Sequence, residues 1–165
     1  MTVQEIQRLC AFNAWATNRV FEALGRISKD DYRRDLKASF GSLHGTMTHL
    51  VAAERLWLSR LTGKPESAMM AEPEVPALET LKKVWEDAAA RTARFVSRLD
   101  DRALGKSLEY VTTEGKTHAN SVQQILQHVV NHSSYHRGQI ASMLRQLGGE
   151  PVNTDMIAFF RHTAV

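Results

Sequence analysis

The sequence predicts an all-α protein, a four-helix bundle with two long crossover connections and a small β-hairpin before the last long helix. Four long segments carry apolar residues at steps of three and four, which is the period of an amphipathic helix. No half of the chain is rich in strand patterns, so packed helices are the favoured architecture. Long connections argue against simple up-down-up-down winding.

The first two helices are predicted from apolar stripes that stop at recognisable end signals. The first runs roughly over 3–27 and closes near Gly25. A polar, basic connection over 28–37 follows it. The second helix covers 42–61, and the next glycine, Gly63, ends it. Both stripes are wide enough to face a common core.

The third helix and the hairpin follow a loop. Three prolines within 63–76 predict that this stretch is irregular, and helical spacing resumes over about 77–99. The rhythm breaks over 106–118, where loose alternation and the turn pair Glu114-Gly115 predict a small β-hairpin.

The fourth helix is the longest predicted element. Asn120 or Ser121 caps its start, and it runs to about Leu147 before a pair of glycines. A short amphipathic tail over 155–161 predicts a final helical turn or two.

Composition predicts one globular domain over residues 1–165, because 43% of the residues are hydrophobic and 24% are charged. The 21 Lys and Arg and 18 Asp and Glu are scattered, giving a net charge of +3 without any basic run. We therefore expect no specific nucleic-acid partner. The single cysteine, Cys10, excludes an intrachain disulfide and predicts a buried small hydrophobe.

The chain also lacks the patterns of membrane and secreted proteins. No stretch of 18 apolar residues occurs, and no apolar run of signal-peptide length follows the start. We expect a cytoplasmic protein without a membrane partner.

Histidines recur every four residues on the fourth helix, at His128, His132 and His136. The apolar seam of that helix passes through Ile125, Val129, Ile140, Met143 and Leu147, and positions 132 and 136 fall in it. His128 lies on the flank, because each four-residue step rotates the helix by about 40°. An unpaired imidazole buried in an apolar seam costs about 1–3 kcal/mol, whereas two neutral imidazoles at i and i+4 can converge on one metal ion.

A third ligand is available from the second helix. His49 lies at the margin of its apolar face, while His44, nearer the start, is the weaker candidate. His118 and His162 are expected to be exposed. If His49 faces the pair on the fourth helix, three imidazoles bind one divalent cation and leave positions for exchangeable ligands. The alternative is that these are core histidines whose nitrogens are bonded to serine, tyrosine or backbone groups.

Three neighbours of His136 also receive expectations. Gln139, three residues further on, is placed to orient a ligand. Arg137 is expected to point away as a solvated or salt-bridged surface residue. Gly138 predicts a close approach of another helix, because glycine inside a helix costs roughly 1 kcal/mol relative to alanine.

Three motifs carry a resemblance to a known family. The segments HVVNHSSYHRGQI at 128–140, GSLHGTMTH at 41–49 and AERLWLSRL at 53–61 closely resemble the DinB family of the DinB/YfiT-like metalloenzymes. The likeness extends from FNAW at 12–15 to Asp155, so it covers almost the whole chain.

The resemblance implies a four-helix bundle with two long crossovers, commonly a homodimer. It also implies a divalent metal ion held by one histidine from the second helix and two from the last, here His49, His132 and His136; His128 is not carried over as a ligand. Zinc or nickel is expected first, with iron, manganese or copper as alternatives that imidazoles also accept. Relatives include hydrolases, and transferases and isomerases that use low-molecular-weight thiols. The family name reflects induction of one member by DNA damage and implies no DNA binding; a bacterial stress response is expected from it.

Two functions follow for this chain. The first is a metal-dependent enzyme, a hydrolase or a thiol S-transferase, in which the ion activates water or a thiol for attack on a small electrophilic substrate. The second is a non-catalytic metal-binding, stress-linked interaction protein. No acid or base is assigned, since Glu54 is expected in a surface or inter-helix pair and Tyr135 on a different face.

Overall fold

Four long helices and a β-hairpin make up most of the structure, a computed structural model that describes residues 1–163. The long helices are α1 (Val3–Leu24), α3 (Leu43–Leu61), α4 (Leu78–Val96) and α6 (Val122–Gln146). The short helices are α2 (Lys29–Arg33), α5 (Asp101–Leu104) and α7 (Met156–Thr163), with a 3-10 turn at Glu72–Glu74. Strands β1 (Ser107–Val111) and β2 (Thr117–Ser121) pair antiparallel, with Glu109 opposite Ala119.

The long helices form a bundle in which α1 and α3 lie diagonally. Each of these two helices packs against both α4 and α6. Gln7 near the start of α1 bonds the carbonyl of Val96 at the end of α4, while Asn18 accepts from Trp85 further back, so these helices are antiparallel. The connections 25–42 and 97–121 therefore cross the ends of the bundle diagonally. The bundle with two crossovers and a hairpin is confirmed.

Five of the seven α-helices in the described chain begin with a side-chain cap. Ser121 caps α6 and forms a reciprocal capping box with Gln124, as predicted. Ser42 accepts the amide of Gly45 at the start of α3. The third long helix ends at Val96 rather than near 99, and the chain then turns into α5, whose cap is Asp100.

The core is shared by all four long helices. Its largest fully buried side chain is Trp85 of α4, which packs with Phe21 of α1. Among the described helices, none has the length and continuous apolar character needed to cross a bilayer. The bundle therefore holds α3 and α6 side by side over a common core, which places their histidines.

The buried stripe of α6 is centred to one side of the predicted seam. Its buried residues are Ile125, Leu126, Val130, Ser133, His136, Arg137, Ile140, Met143 and Leu144. Val129 and Leu147 are only half-buried. His132 consequently lies half-buried at the margin of this stripe, whereas His136 is buried within it.

Two expectations for α6 were wrong. Arg137 is 3% exposed rather than solvated, because α1 covers that face and supplies polar partners for the guanidinium. Gly138 does not mark a close approach, since a Cβ added there would meet no atom within 4 Å.

Candidate metal centre

Three histidine side chains from α3 and α6 converge on one point. The Nε2 atom of His132 lies 3.2 Å from Nε2 of His49 and 3.0 Å from Nε2 of His136. All three ligand atoms lie within 4.8 Å of one another. The structure therefore brings together the three histidines that the sequence selected.

Helix geometry explains the convergence. His132 and His136 are one helical turn apart on α6, so their rings lie above one another on one face. Ser133, in the same turn, bonds Glu54 of α3, which fixes the two helices against each other at this level. His49 of α3 then faces the pair across the helix interface.

Gln139 determines how His136 presents its nitrogens. Its Oε1 atom lies 2.7 Å from Nδ1 of His136. An amide oxygen is only an acceptor, so Nδ1 carries the proton and Nε2 is left with a bare lone pair. That lone pair points at the meeting point of the three rings, which confirms the predicted orienting contact of Gln139.

Phe40 forms one wall of the cluster. Its ring stacks on His49 at a centroid distance of 3.9 Å with an interplanar angle of 17°, and it meets His136 edge-on at 5.5 Å. The loop that carries Phe40 is closed by a bond from the amide of Leu36 to the carbonyl of Gly41. Sequence reasoning missed Phe40, because it lies outside any helix.

Gly45 allows this loop to approach α3. A Cβ at Gly45 would lie 2.1 Å from the carbonyl oxygen of Phe40, which no side chain can tolerate. The glycine, one turn before His49, thus lets the backbone of Phe40 rest directly on the helix.

Burial keeps these histidines neutral. It lowers the pKa of His49 to about 4, with a smaller contribution from His136, and it lowers the pKa of His132 to about 4, where the neighbouring histidines add to the effect. The pKa of His136 is also lowered by burial, opposed by its bond to Gln139. Neutral imidazole is the form that binds metal, so the cluster is ready for a cation at neutral pH.

The remaining histidines of the described chain do not join this group, although the ring centroid of His128 lies 5.8 Å from that of His132. His44 is buried, with Nε2 2.9 Å from the carbonyl of Val75 and Nδ1 3.0 Å from Glu72. His128 is exposed and lies edge-on to Trp57. His118 and His162 are exposed, as expected.

A buried polar network supports the cluster from behind. Oε1 of Glu54 accepts hydrogen bonds from Asn13 and Ser133, and Asn13 in turn accepts one from Arg137 at 2.6 Å. Arg137 also donates to Thr17. The network joins α1, α3 and α6, and it corrects the expectation for Arg137. Glu54 lies in the inter-helix arrangement that was one of its two predicted places.

The donor set fits a divalent cation. Nitrogens that bind one zinc ion at about 2.0–2.1 Å in a tetrahedral arrangement lie about 3.3 Å apart. The separations of 3.2 Å and 3.0 Å at His132 are close to that value. Gln139 leaves Nε2 of His136 without a proton, and His49 and His132 offer lone pairs at the same point when they are protonated at Nδ1. His49, His132 and His136 could therefore hold a metal ion.

Comparison with known proteins places the chain in a family. The sequence matches the DinB family over residues 1–164. The chain belongs to the DinB family. The protein DinB of Bacillus subtilis strain 168 is 27% identical over 155 residues, which are 90% of this chain and 89% of that protein. The resemblance carried by the three motifs is thereby confirmed.

Solved structures of DinB-like proteins share the fold. A DinB-like protein from Bacillus cereus ATCC 10987 superposes with a TM-score of 0.72 at 18% identity, covering 92% of this chain and 97% of that one. A DinB-like protein of Bacillus subtilis, YjoA, gives 0.62 at 16% identity, covering 88% and 94%. At these identities the likeness shows the fold alone.

Proposed function

We propose that the protein is a divalent-metal-dependent enzyme that promotes attack of a thiol or of water on a small electrophilic substrate. His49, His132 and His136 would hold the ion. The observation that carries this proposal is the convergence of three Nε2 atoms, two of the separations being 3.2 Å and 3.0 Å. A divalent ion held there would supply a Lewis acid that strengthens a thiol or water as a nucleophile at neutral pH.

The donor set favours catalysis over a structural role. Structural zinc usually has four protein ligands with cysteine among them, whereas three histidines leave room for an exchangeable ligand. Zinc or nickel suits three imidazoles, and iron, manganese or copper are the alternatives.

The chain's own cysteine does not serve as the nucleophile. Cys10 packs beside Ile6 and Leu126 in a separate apolar cluster. Burial, with the nearby charge of Glu54, raises the pKa of its thiol to about 12, so it is protonated at neutral pH. The proposed enzyme therefore draws on an external low-molecular-weight thiol or on water.

A polar groove next to Gln139, the residue that bonds His136, offers room for a substrate. It measures about 520 Å³ and is lined by Gln139, Tyr135 and Gly138 of α6 and by Lys37 and Ser39 of the preceding loop. The missing side chain at Gly138 helps to keep it open. Phe40, which follows Ser39 in the same loop, stacks on His49. A small polar electrophile would fit this groove.

Metal analysis of purified variants tests the ligand set. We expect about one ion per wild-type chain and its loss in His49→Ala, His132→Ala and His136→Ala, with circular dichroism confirming that each is folded. His128→Ala is the matched control on the same helix and is expected to keep the ion. Retention of metal by all four variants would contradict the proposed ligands.

Thiol chemistry separates the two functional hypotheses. Cobalt-loaded protein titrated with cysteine or glutathione is expected to develop a thiolate-to-metal absorption band. Metal-loaded protein is expected to accelerate thiol transfer to 1-chloro-2,4-dinitrobenzene or hydrolysis of an activated ester. A tightly held ion that responds to neither thiols nor these electrophiles would instead support the non-catalytic, metal-binding role. Sedimentation of the same samples tests the homodimer that belongs to this proposal.

A further inference from the structure

A second cavity lies on the other side of the α3–α6 interface from the histidines. It measures about 280 Å³ and reaches inward from an opening between α1 and α4. Ala11 and Ala93 at its rim are exposed, and Trp85 and Val130 form buried parts of its wall. Small side chains on α1 and α4 create the space, and most of the lining is apolar.

Glu54 is the charged residue of the lining, which also contains the polar residues Gln7, Asn13, Thr92 and Ser97. Its side chain lines the cavity although the residue is only 5% exposed. Oε1 accepts from Asn13 at 2.6 Å and from Ser133 at 2.8 Å, whereas Oε2 has no hydrogen bond to any residue within 1–163. Oε2 is therefore open to the cavity, where a donor group on a ligand can reach it.

The nearby cation does not supply a donor to Oε2. The guanidinium of Arg137 is engaged by Asn13, Thr17 and Ser134 at 2.6–3.1 Å. Among the described residues, no carboxylate lies within ion-pair distance of it. Asn13 thus separates Arg137 from Glu54, and Oε2 stays available.

We propose that this cavity binds a small aromatic molecule of about two fused rings that carries one N–H or O–H donor. An apolar cavity of about 150 Å³ is enough for benzene, so about 280 Å³ has room for a second ring. Trp85 offers an aromatic wall to a flat ligand. The ligand's donor bonds Oε2 of Glu54, which keeps a lone pair whether the carboxyl group is ionised or protonated.

Two probes of the same shape test the role of Glu54. Indole carries an N–H donor, and benzothiophene lacks one. Calorimetry with the full chain is expected to show that indole binds at least fivefold more tightly than benzothiophene. Methyl NMR is expected to show chemical-shift changes confined to cavity residues such as Ala14, Ala89 and Val130. Absence of indole binding up to its solubility, or shifts elsewhere, would overturn the proposal.

Two substitutions complete the test. Glu54→Gln is expected to place its amide nitrogen at the free position, because the oxygen is required by Asn13 and Ser133, so the preference for indole falls to about equal affinity. Ala89→Phe fills the cavity and is expected to abolish binding of both probes, whereas Ala90→Phe, on the exposed face of α4, is expected to leave it unchanged. Binding that survives Ala89→Phe contradicts the site.

Concentration-dependent shifts of the same methyls without a probe would show that a second copy of the chain fills the groove instead, which also overturns the proposal.

Discussion

Gln139 controls the cluster through a single contact. By accepting from Nδ1 of His136 at 2.7 Å, it fixes both the tautomer and the ring plane of that histidine. His49 and His132 have no comparable hydrogen-bond partner among the described side chains, so His136 is the ligand whose ring is oriented by a hydrogen bond from outside the cluster.

Replacing Gln139 by leucine is therefore expected to weaken zinc binding about 10- to 100-fold while leaving the fold intact. The measurement is competition with a chromophoric chelator. Gln146→Leu, on the exposed last turn of the same helix, is the control and is expected to bind like wild type. Equal affinities for the two variants would show that His136 is oriented by packing alone.

Acid is expected to destabilise the metal-free protein between about pH 6.5 and pH 4. The pKa of His49 and of His132 falls from 6.5 to about 4 on folding, so the unfolded chain binds more protons in that window. The contribution of these two histidines to the unfolding free energy is fully present above pH 6.5 and is lost as the pH falls towards 4. The total loss is about 3 kcal/mol after allowance for solvent access.

Urea unfolding at a series of pH values, with chelator present, measures this loss. The double variant His49→Gln, His132→Gln is expected to show a flatter profile, whereas His118→Gln, an exposed control, keeps the wild-type slope. An unchanged slope in the double variant would place the proton uptake elsewhere.

Side-chain partners were the least predictable feature of the site from sequence. The three histidines could be selected because their spacing on α6 and the helical stripe of α3 restrict where they point. Phe40 could not, since its position over His49 depends on a loop conformation that no period encodes. Arg137 was misplaced because helical phase gives only the direction of a side chain, and a polar face of α1 covers that direction.

At the scale of elements, long helices were predictable and short ones were not. α1, α3, α4 and α6 each span several turns, so their apolar stripes repeat often enough to identify them. α2 and α5 have only five and four residues, too few to show a period, and only their caps Ser28 and Asp100 mark them. The rotated stripe on α6 reflects how α1 packs against it, which sequence spacing does not reveal.

The contact between α3 and the loop before it predicts a sharp response at Gly45. Gly45→Ala puts a Cβ 2.1 Å from the carbonyl oxygen of Phe40, so the loop must move. We expect a loss of about 1–3 kcal/mol in unfolding free energy and displacement of Phe40 from His49. Chemical denaturation and the NMR shifts of the His49 ring measure the two effects.

Gly25→Ala is the matched control, because Gly25 caps a helix with φ −65 and its added Cβ would be 3.5 Å from the nearest atom. We expect it to be neutral. Similar losses for both glycine substitutions would mean that the close approach at Gly45 is readily relieved.

At the scale of the whole molecule, one buried network links three of the four long helices. Burial raises the pKa of Glu54, opposed by its bonds to Asn13 and Ser133 and by the charge of Arg137. Burial acts in the opposite direction on a cation and lowers the pKa of Arg137 to about 10, so the guanidinium stays charged at neutral pH. The network fixes the relative rotation of α1, α3 and α6, and hence the level at which the histidines meet.

Arg137→Leu is expected to destabilise the protein by about 3 kcal/mol, because it leaves buried polar partners unpaired. Arg145→Leu, at an exposed position of the same helix, is expected to change stability by less than about 0.5 kcal/mol. Urea unfolding gives both values. A double variant with Glu54→Gln should be less unstable than the two separate losses predict, and strict additivity would argue against coupling through Asn13.

The chain separation between His49 and His132 has a kinetic consequence. These residues are 83 positions apart, so a cation bound by both would close a long loop and act as a reversible cross-link between distant parts of the chain. If the two histidines come together only after the transition state for folding, bound metal slows unfolding and hardly changes the folding rate. Supply or withdrawal of metal would then set the lifetime of the molecule against proteolysis.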